Sequence, residues 1–111
     1  MVMPRYSDGA PAVLLPESLR AQLPLLGAQR RVLEPMVYTR FWVPDGAWQF
    51  YVTEGEPDGT DYRFYGLLMA SEEEENWNWQ GVRLSDLVRM TGVVLDPEFV
   101  PGTFPDAVPH P

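Results

Sequence analysis

The chain has 111 residues, 45% of them apolar and 13% aromatic, and carries a formal charge of −8 at neutral pH. That length supports one hydrophobic core but not two ordinary domains, and the apolar content separates it from disordered chains of low hydrophobicity. The negative charge argues against direct nucleic-acid binding, which needs clustered cations, and against anionic membrane surfaces, so the expected partner is a protein with a basic face.

Cysteine is absent, which removes disulfides, thiolate nucleophiles and thiolate metal sites together. All eight basic residues are arginine. No stretch approaches the roughly 18 consecutive apolar residues of a membrane span, and MVMPRYSDGAPAVLLP lacks the apolar centre of a secretory signal. A cytoplasmic location is the expectation.

Residues 1–13 hold two prolines and a glycine with little periodicity, and predict an irregular arm. A helix of about two turns follows, with Pro16 at its first position, Glu17 at the positive end of its dipole, Leu15, Leu19 and Leu23 on one stripe, and Pro24 as its stop. Residues 36–43 (MVYTRFWV) and 48–54 (WQFYVTE) are β-branched and aromatic, and the PDGA between them predicts a hairpin turn. A third strand over residues 62–70 (YRFYGLLMA) follows the turn GEPDGT.

Alternation puts Trp48, Phe50 and Val52 on the core side of the second strand and Gln49, Tyr51 and Thr53 on the other. In the third strand both faces are apolar, which predicts a sheet covered on both sides, with helices as the covers. After the acidic run, WNWQGVRL reads as a short fourth strand, and SDLVRMTG as a short helix capped by Ser85, with Leu84, Leu87 and Val88 buried. The proline-rich tail, residues 101–111, is expected to wrap the domain or remain disordered. The fold class is therefore α+β: an antiparallel meander of three to four strands with two or three short helices, in a single domain over residues 14–100.

Residues 54–75 contain eight acids and one arginine, a net of −7 out of the chain's −8. The acids are Glu54, Glu56, Asp58 and Asp61 at one turn, and Glu72, Glu73, Glu74 and Glu75 in one run. Such a concentration suits a basic protein surface that normally steers nucleic acid. The nine residues of the third strand, at about 3.3 Å each, place the two clusters roughly 30 Å apart.

Glu54, Glu56 and Asp58 followed by Gly59 partly imitate a calcium loop, but Tyr65 stands where a bidentate glutamate is needed, and no metal is expected. Trp77 and Trp79 alternate, so in a strand both indoles share a face and offer an aromatic platform for a small ligand or peptide. The only histidine is His110, and no Ser-His, Cys-His or metal-ligand spacing exists. Glu54 and Asp61, at the two ends of one hairpin turn, are the carboxylate pair that the turn could join as acid and base. Catalytic residues and cofactors are otherwise not expected.

The run FWVPDGAWQFYVTEGEPDGTDYRFYGLL, with LLPESLRAQLPLL before it and LSDLVRM after it, resembles the bacterial domain of unknown function 2958, whose pattern includes F-x-P, W-x-W-Y-V-T-E-G and D-x-x-F-F-G-L. The likeness spans most of residues 14–100. This chain departs from it at Phe50, at Tyr65 and over ENWNWQGVRL. The resemblance implies a cytoplasmic α+β protein of bacteria, often carried by plasmids, phages or integrated elements, with no established activity. In that context an acidic protein of this size is similar to inhibitors of host defence, of the anti-CRISPR or anti-restriction type. The leading expectation is thus a non-enzymatic acidic interaction protein, with the aromatic-face binding module as the alternative, and a monomer or weak homodimer as its state.

Overall fold

The computed structural model describes residues 13–44 and 46–108. His110 and all but the last residue of the expected N-terminal arm lie outside the described residues.

The architecture is α+β. The elements are α1 (Glu17–Gln22), β1 (Met36–Val37), β2 (Thr39–Trp42), β3 (Gln49–Asp58), β4 (Asp61–Met69), a 3-10 turn (Glu74–Asn76), β5 (Trp77–Arg83), α2 (Leu84–Arg89), β6 (Val94–Leu95) and β7 (Gly102–Thr103). An antiparallel sheet runs in the order β5-β4-β3-β2-β6, and β1 pairs with β7 in a two-stranded ribbon beside it. The meander expected from residues 36–70 is its centre, and β5 and β6 extend it on either side.

The β3–β4 hairpin is longer than the alternation indicates. Glu54, Glu56 and Asp58 lie in β3, and the turn shrinks to Gly59 and Thr60, with Asp58 opposite Asp61. Gly59 takes a φ of +62° there, which a residue with a Cβ reaches only with strain. Residues 36–43 also divide: β1 leaves to pair with the tail, while Thr39–Trp42 pair with both β3 and β6. Most of residues 36–43 is therefore paired on both sides or drawn into the ribbon. The open edge belongs to β5.

One face of the sheet is covered by helices. Leu14, Leu15, Leu19 and Leu23 from the N-terminal segment, with Leu84 and Leu87 from α2, pack on Phe41, Phe50, Val52 and Phe64. Phe41 and Phe64 meet edge to face at 5.2 Å. Each fully buried side chain of this size contributes roughly 1.5–3 kcal/mol, and a helix of only six residues such as α1 holds its shape through that packing rather than through its own hydrogen bonds. Pro16 serves as its N-cap rather than its first residue, so the helix starts one place later than expected, and Pro24 follows its last backbone bond.

The other face has a different cover. Tyr51, Leu67 and Met69 pack on Val37 and Val108, with Phe99 and Phe104 beside them, so residues 99–108 of the tail do what helices were expected to do. The tail is held by the β1–β7 ribbon and by the Phe104 amide, which donates to the Pro35 carbonyl. Arg40, on the same face, donates to the Asp96 carboxylate and to Gln49 Oε1, which ties β6 to the middle of the sheet. Tyr51 also donates to Gln49, and burial pushes its hydroxyl pKa above the ordinary value.

Candidate functional site

The site begins with an irregularity in β3. Val52 pairs with Gly66 and Glu54 with Tyr65, so Thr53 is an extra residue, a β-bulge. In an unbroken strand Glu54 would share the face of Phe50 and Val52 and point into the helix-covered core. The bulge reverses that parity. Glu54 and Glu56 move to the tail face, and Gly55 takes the core side, where a Cβ would lie only 2.6 Å from the Tyr62 ring.

Gly66, opposite the bulge, permits it. A Cβ at that position would sit 1.9 Å from the Tyr51 carbonyl oxygen, so no side chain fits. Thr53 closes the irregularity by donating its hydroxyl to the Tyr65 carbonyl at 3.2 Å.

Glu54 is 1% exposed. Its carboxylate accepts the amide of Gly27 at 2.7 Å on Oε1 and the amide of Gln29 at 2.7 Å on Oε2. Arg30 Nε lies 3.4 Å from Oε1, and Glu56 accepts the amide of Leu26 at 3.0 Å. Gly27, with a φ of +92°, turns the chain so that these amides point at the carboxylates. Gln29 completes the clamp: its amide group donates to the Met36 and Thr53 carbonyls and accepts from the Met36 N–H. Glu54 and Glu56, expected from the sequence to face a basic partner at a turn, instead anchor the 25–31 loop.

The loop walls a pocket of about 300 Å³ on the tail face. Thr53 and Glu54 form its inner end, and Tyr65, Trp79 and Phe104 form an aromatic side. Tyr65 and Trp79 stack at 6.1 Å with 20° between their planes, and Phe104 meets Trp79 edge-on at 5.4 Å. The Arg30 guanidinium lies 3.6 Å from the centre of the Tyr65 ring. Val32 and Leu33 stand at the mouth, and Leu33 is 94% exposed.

Trp77 and Trp79 do share a face of β5, but their roles separate. Trp77 packs against the second core and donates its indole N–H to the Ser71 carbonyl. Trp79 remains 37% exposed at the pocket.

No family model, curated protein or solved structure matches this chain. The site is therefore defined by its own geometry.

The remaining acids fall into two groups. Asp61 accepts the amide and the hydroxyl of Ser85 at 3.1 and 2.6 Å, besides the amide of Tyr62. Ser85 is the second residue of α2 rather than its cap, and the capping carboxylate comes from β4, twenty-four residues earlier. The Ser85 hydroxyl holds the Asp61 pKa below its ordinary value. Asp58 is shared by Arg63 and Arg83. By contrast, Glu72, Glu73, Glu74 and Glu75 are all exposed, with no ion-pair partner among the described residues.

Glu54 and Asp61 are not brought together. Four rungs of the β3–β4 ladder, about 13 Å, separate their positions, and each carboxylate is occupied by its own donors. Among the described residues no three acids or histidines are grouped to hold a metal. Arg30 and Phe104, neither of them singled out by sequence, reach the pocket from a loop and from the tail. Their distance along the chain from Tyr65 and Trp79 left no local pattern to read.

Proposed function

We propose that this chain is a non-enzymatic binding module whose site is the pocket between Tyr65, Trp79, Phe104 and Arg30. The observation that carries this reading is Trp79: it is over a third exposed while already stacked on Tyr65, so a flat apolar group gains contact there without unfolding anything. The guanidinium over Tyr65 extends the same surface and leaves terminal N–H groups to orient a polar substituent. Titration with indole, nucleosides and N-acetyltryptophan amide, followed by intrinsic fluorescence and by isothermal calorimetry, tests it. Binding abolished by Trp79→Ala is the expected result. No heat and no spectral change with any ligand overturns the assignment.

A second reading rests on the exposed run Glu72–Glu75, which has no ion-pair partner among the described residues. Here the protein occupies the basic surface of a nucleic-acid-handling or defence enzyme, in the cytoplasm of a bacterium that carries a mobile element, as the resemblance to the domain of unknown function 2958 suggests. The four carboxylates consumed by Gly27, Gln29, Leu26, Ser85 and the arginines shrink this acidic surface by about half. Salt-sensitive capture of such an enzyme, lost on reversing the charge of Glu72 to Glu75, supports this reading over the first.

A further inference from the structure

The two edges of the main sheet differ. At one end β6 is two residues long, too short to template another strand. At the other, β5 runs for seven residues from Trp77 to Arg83, and among the described residues nothing pairs with its outer side. From Trp77 to Val82 the strand holds no proline, no charged side chain and no bulge, and its one charge, Arg83, stands at its end.

The tail face of β5 carries Trp77, Trp79, Gly81 and Arg83 in alternation. Gly81 is paired with Tyr65, and a Cβ built on it would touch only the Phe64 carbonyl, at an ordinary 3.5 Å. Space for a side chain is there, but the residue supplies none. The gap leaves the flank of the Tyr65–Trp79 stack open to a side chain arriving from the edge, the arrangement in which a cross-strand aromatic covers an edge glycine.

We propose that β5 accepts an extended, basic peptide segment as a sixth, antiparallel strand. It places an aromatic or large apolar side chain across Gly81 onto Tyr65 and Trp79. Main-chain bonds to the edge provide affinity and the aromatic gap provides register, as in other cases of strand addition. Antiparallel pairing is the better bonded arrangement, and it sends the segment's C-terminal half past Trp77 to the Glu72–Glu75 run. Arginines or lysines starting about four positions after the aromatic anchor meet those carboxylates. A second copy carries a net −8 of its own, so long-range repulsion favours a basic segment over it as the occupant. The proposal rests on the pocket reading above and names its partner.

The test uses the whole protein and a fluorescein-labelled peptide of alternating threonine and valine, with one phenylalanine and three arginines beginning four positions after it. Four controls accompany it: the same peptide N-methylated at alternate amides, the same peptide with glutamates for arginines, the protein with Gly81→Val, and the protein with Glu72–Glu75 changed to glutamine. Micromolar binding to the first peptide is expected. N-methylation on the edge-facing side should weaken it at least about tenfold, glutamates should abolish it, and Gly81→Val should weaken it without lowering the melting temperature. Neutralising Glu72–Glu75 to glutamine should remove most of its salt dependence. Equal affinity for the N-methylated peptide, or sedimentation of the free protein as a dimer that the peptide does not dissociate, overturns the proposal. If N-acetyltryptophan amide still binds through Trp79 while every peptide fails, strand addition is wrong and the pocket reading survives. If neither binds, both fall.

Discussion

Replacing Glu54 with alanine removes the acceptor from two backbone amides, those of Gly27 and Gln29, at a site where the carboxylate is 1% exposed. Each is a charge-assisted bond, and each amide left without an acceptor costs about 1–3 kcal/mol. Water entering from the adjoining pocket hydrates part of what is exposed, so the loss is expected near 3 kcal/mol rather than at the sum of the upper limits. Against a total stability of about 5–15 kcal/mol this is a large fraction, and it corresponds to a fall in melting temperature of roughly 12–24 °C for a domain of this size. Glutamine at the same position keeps one oxygen for one amide but turns its own NH2 toward the other, so Glu54→Gln should cost about half as much. Urea titration followed by circular dichroism at constant m-value measures both. Amide hydrogen exchange should report faster opening at Gly27 and Gln29 in particular. A Glu54→Ala protein within about 0.5 kcal/mol of wild type, or a glutamine variant more stable than wild type, would refute the view that this carboxylate anchors the loop. The consequence for function is direct: without Glu54 the Arg30 side chain loses its ion pair, and the pocket wall over Tyr65 loosens.

Gly66→Ala should destabilise the protein by more than about 3 kcal/mol, because its methyl group would meet the Tyr51 backbone and force the bulge apart; urea midpoints measure this. Ser85→Ala removes the main cause of the lowered Asp61 pKa. A lowered carboxylate pKa contributes stability that is fully present above the ordinary value of 3.8 and is lost as pH falls through the folded value. The stability gap between wild type and Ser85→Ala should therefore be constant well above the ordinary value and narrow as the pH falls below it, as denaturation at several pH values will show. Val108→Ala, which trims the tail's buried anchor, should cost about 2 kcal/mol and weaken ligand binding at Phe104 in the same titrations. Trp79→Ala should abolish that binding while the protein stays folded, since the side chain lies outside both buried cores.

Much of the sheet is written in local pattern. Period-two alternation of β-branched and aromatic residues identifies β2, β3, β4 and β5, and the PDGA and PDGT sequences identify where the chain reverses. The apolar residues on both sides of β4 announce a sheet with two covered faces, and the spacing of Leu84, Leu87 and Val88 announces α2. Trp77 and Trp79 sharing a face follows from the same alternation. These are properties of a residue and its near neighbours, so the amino-acid order alone determines them.

The site required the rest of the molecule. Nothing in YVTEGE says that Thr53 will be squeezed out of register; the absence of a side chain at Gly66, on the neighbouring strand, lets that happen and turns Glu54 away from the core. The tail covers the second face because Phe99, Phe104 and Val108 find apolar residues that neither α1 nor α2 covers, a competition among segments far apart in the chain. Asp61 reads as an acid at a turn and acts as the cap of a helix twenty-four residues later. Alternation determines on which side of a strand a residue lies only while the register is unbroken. Long-range pairing sets the register, and with it the surroundings of Glu54 and Trp79.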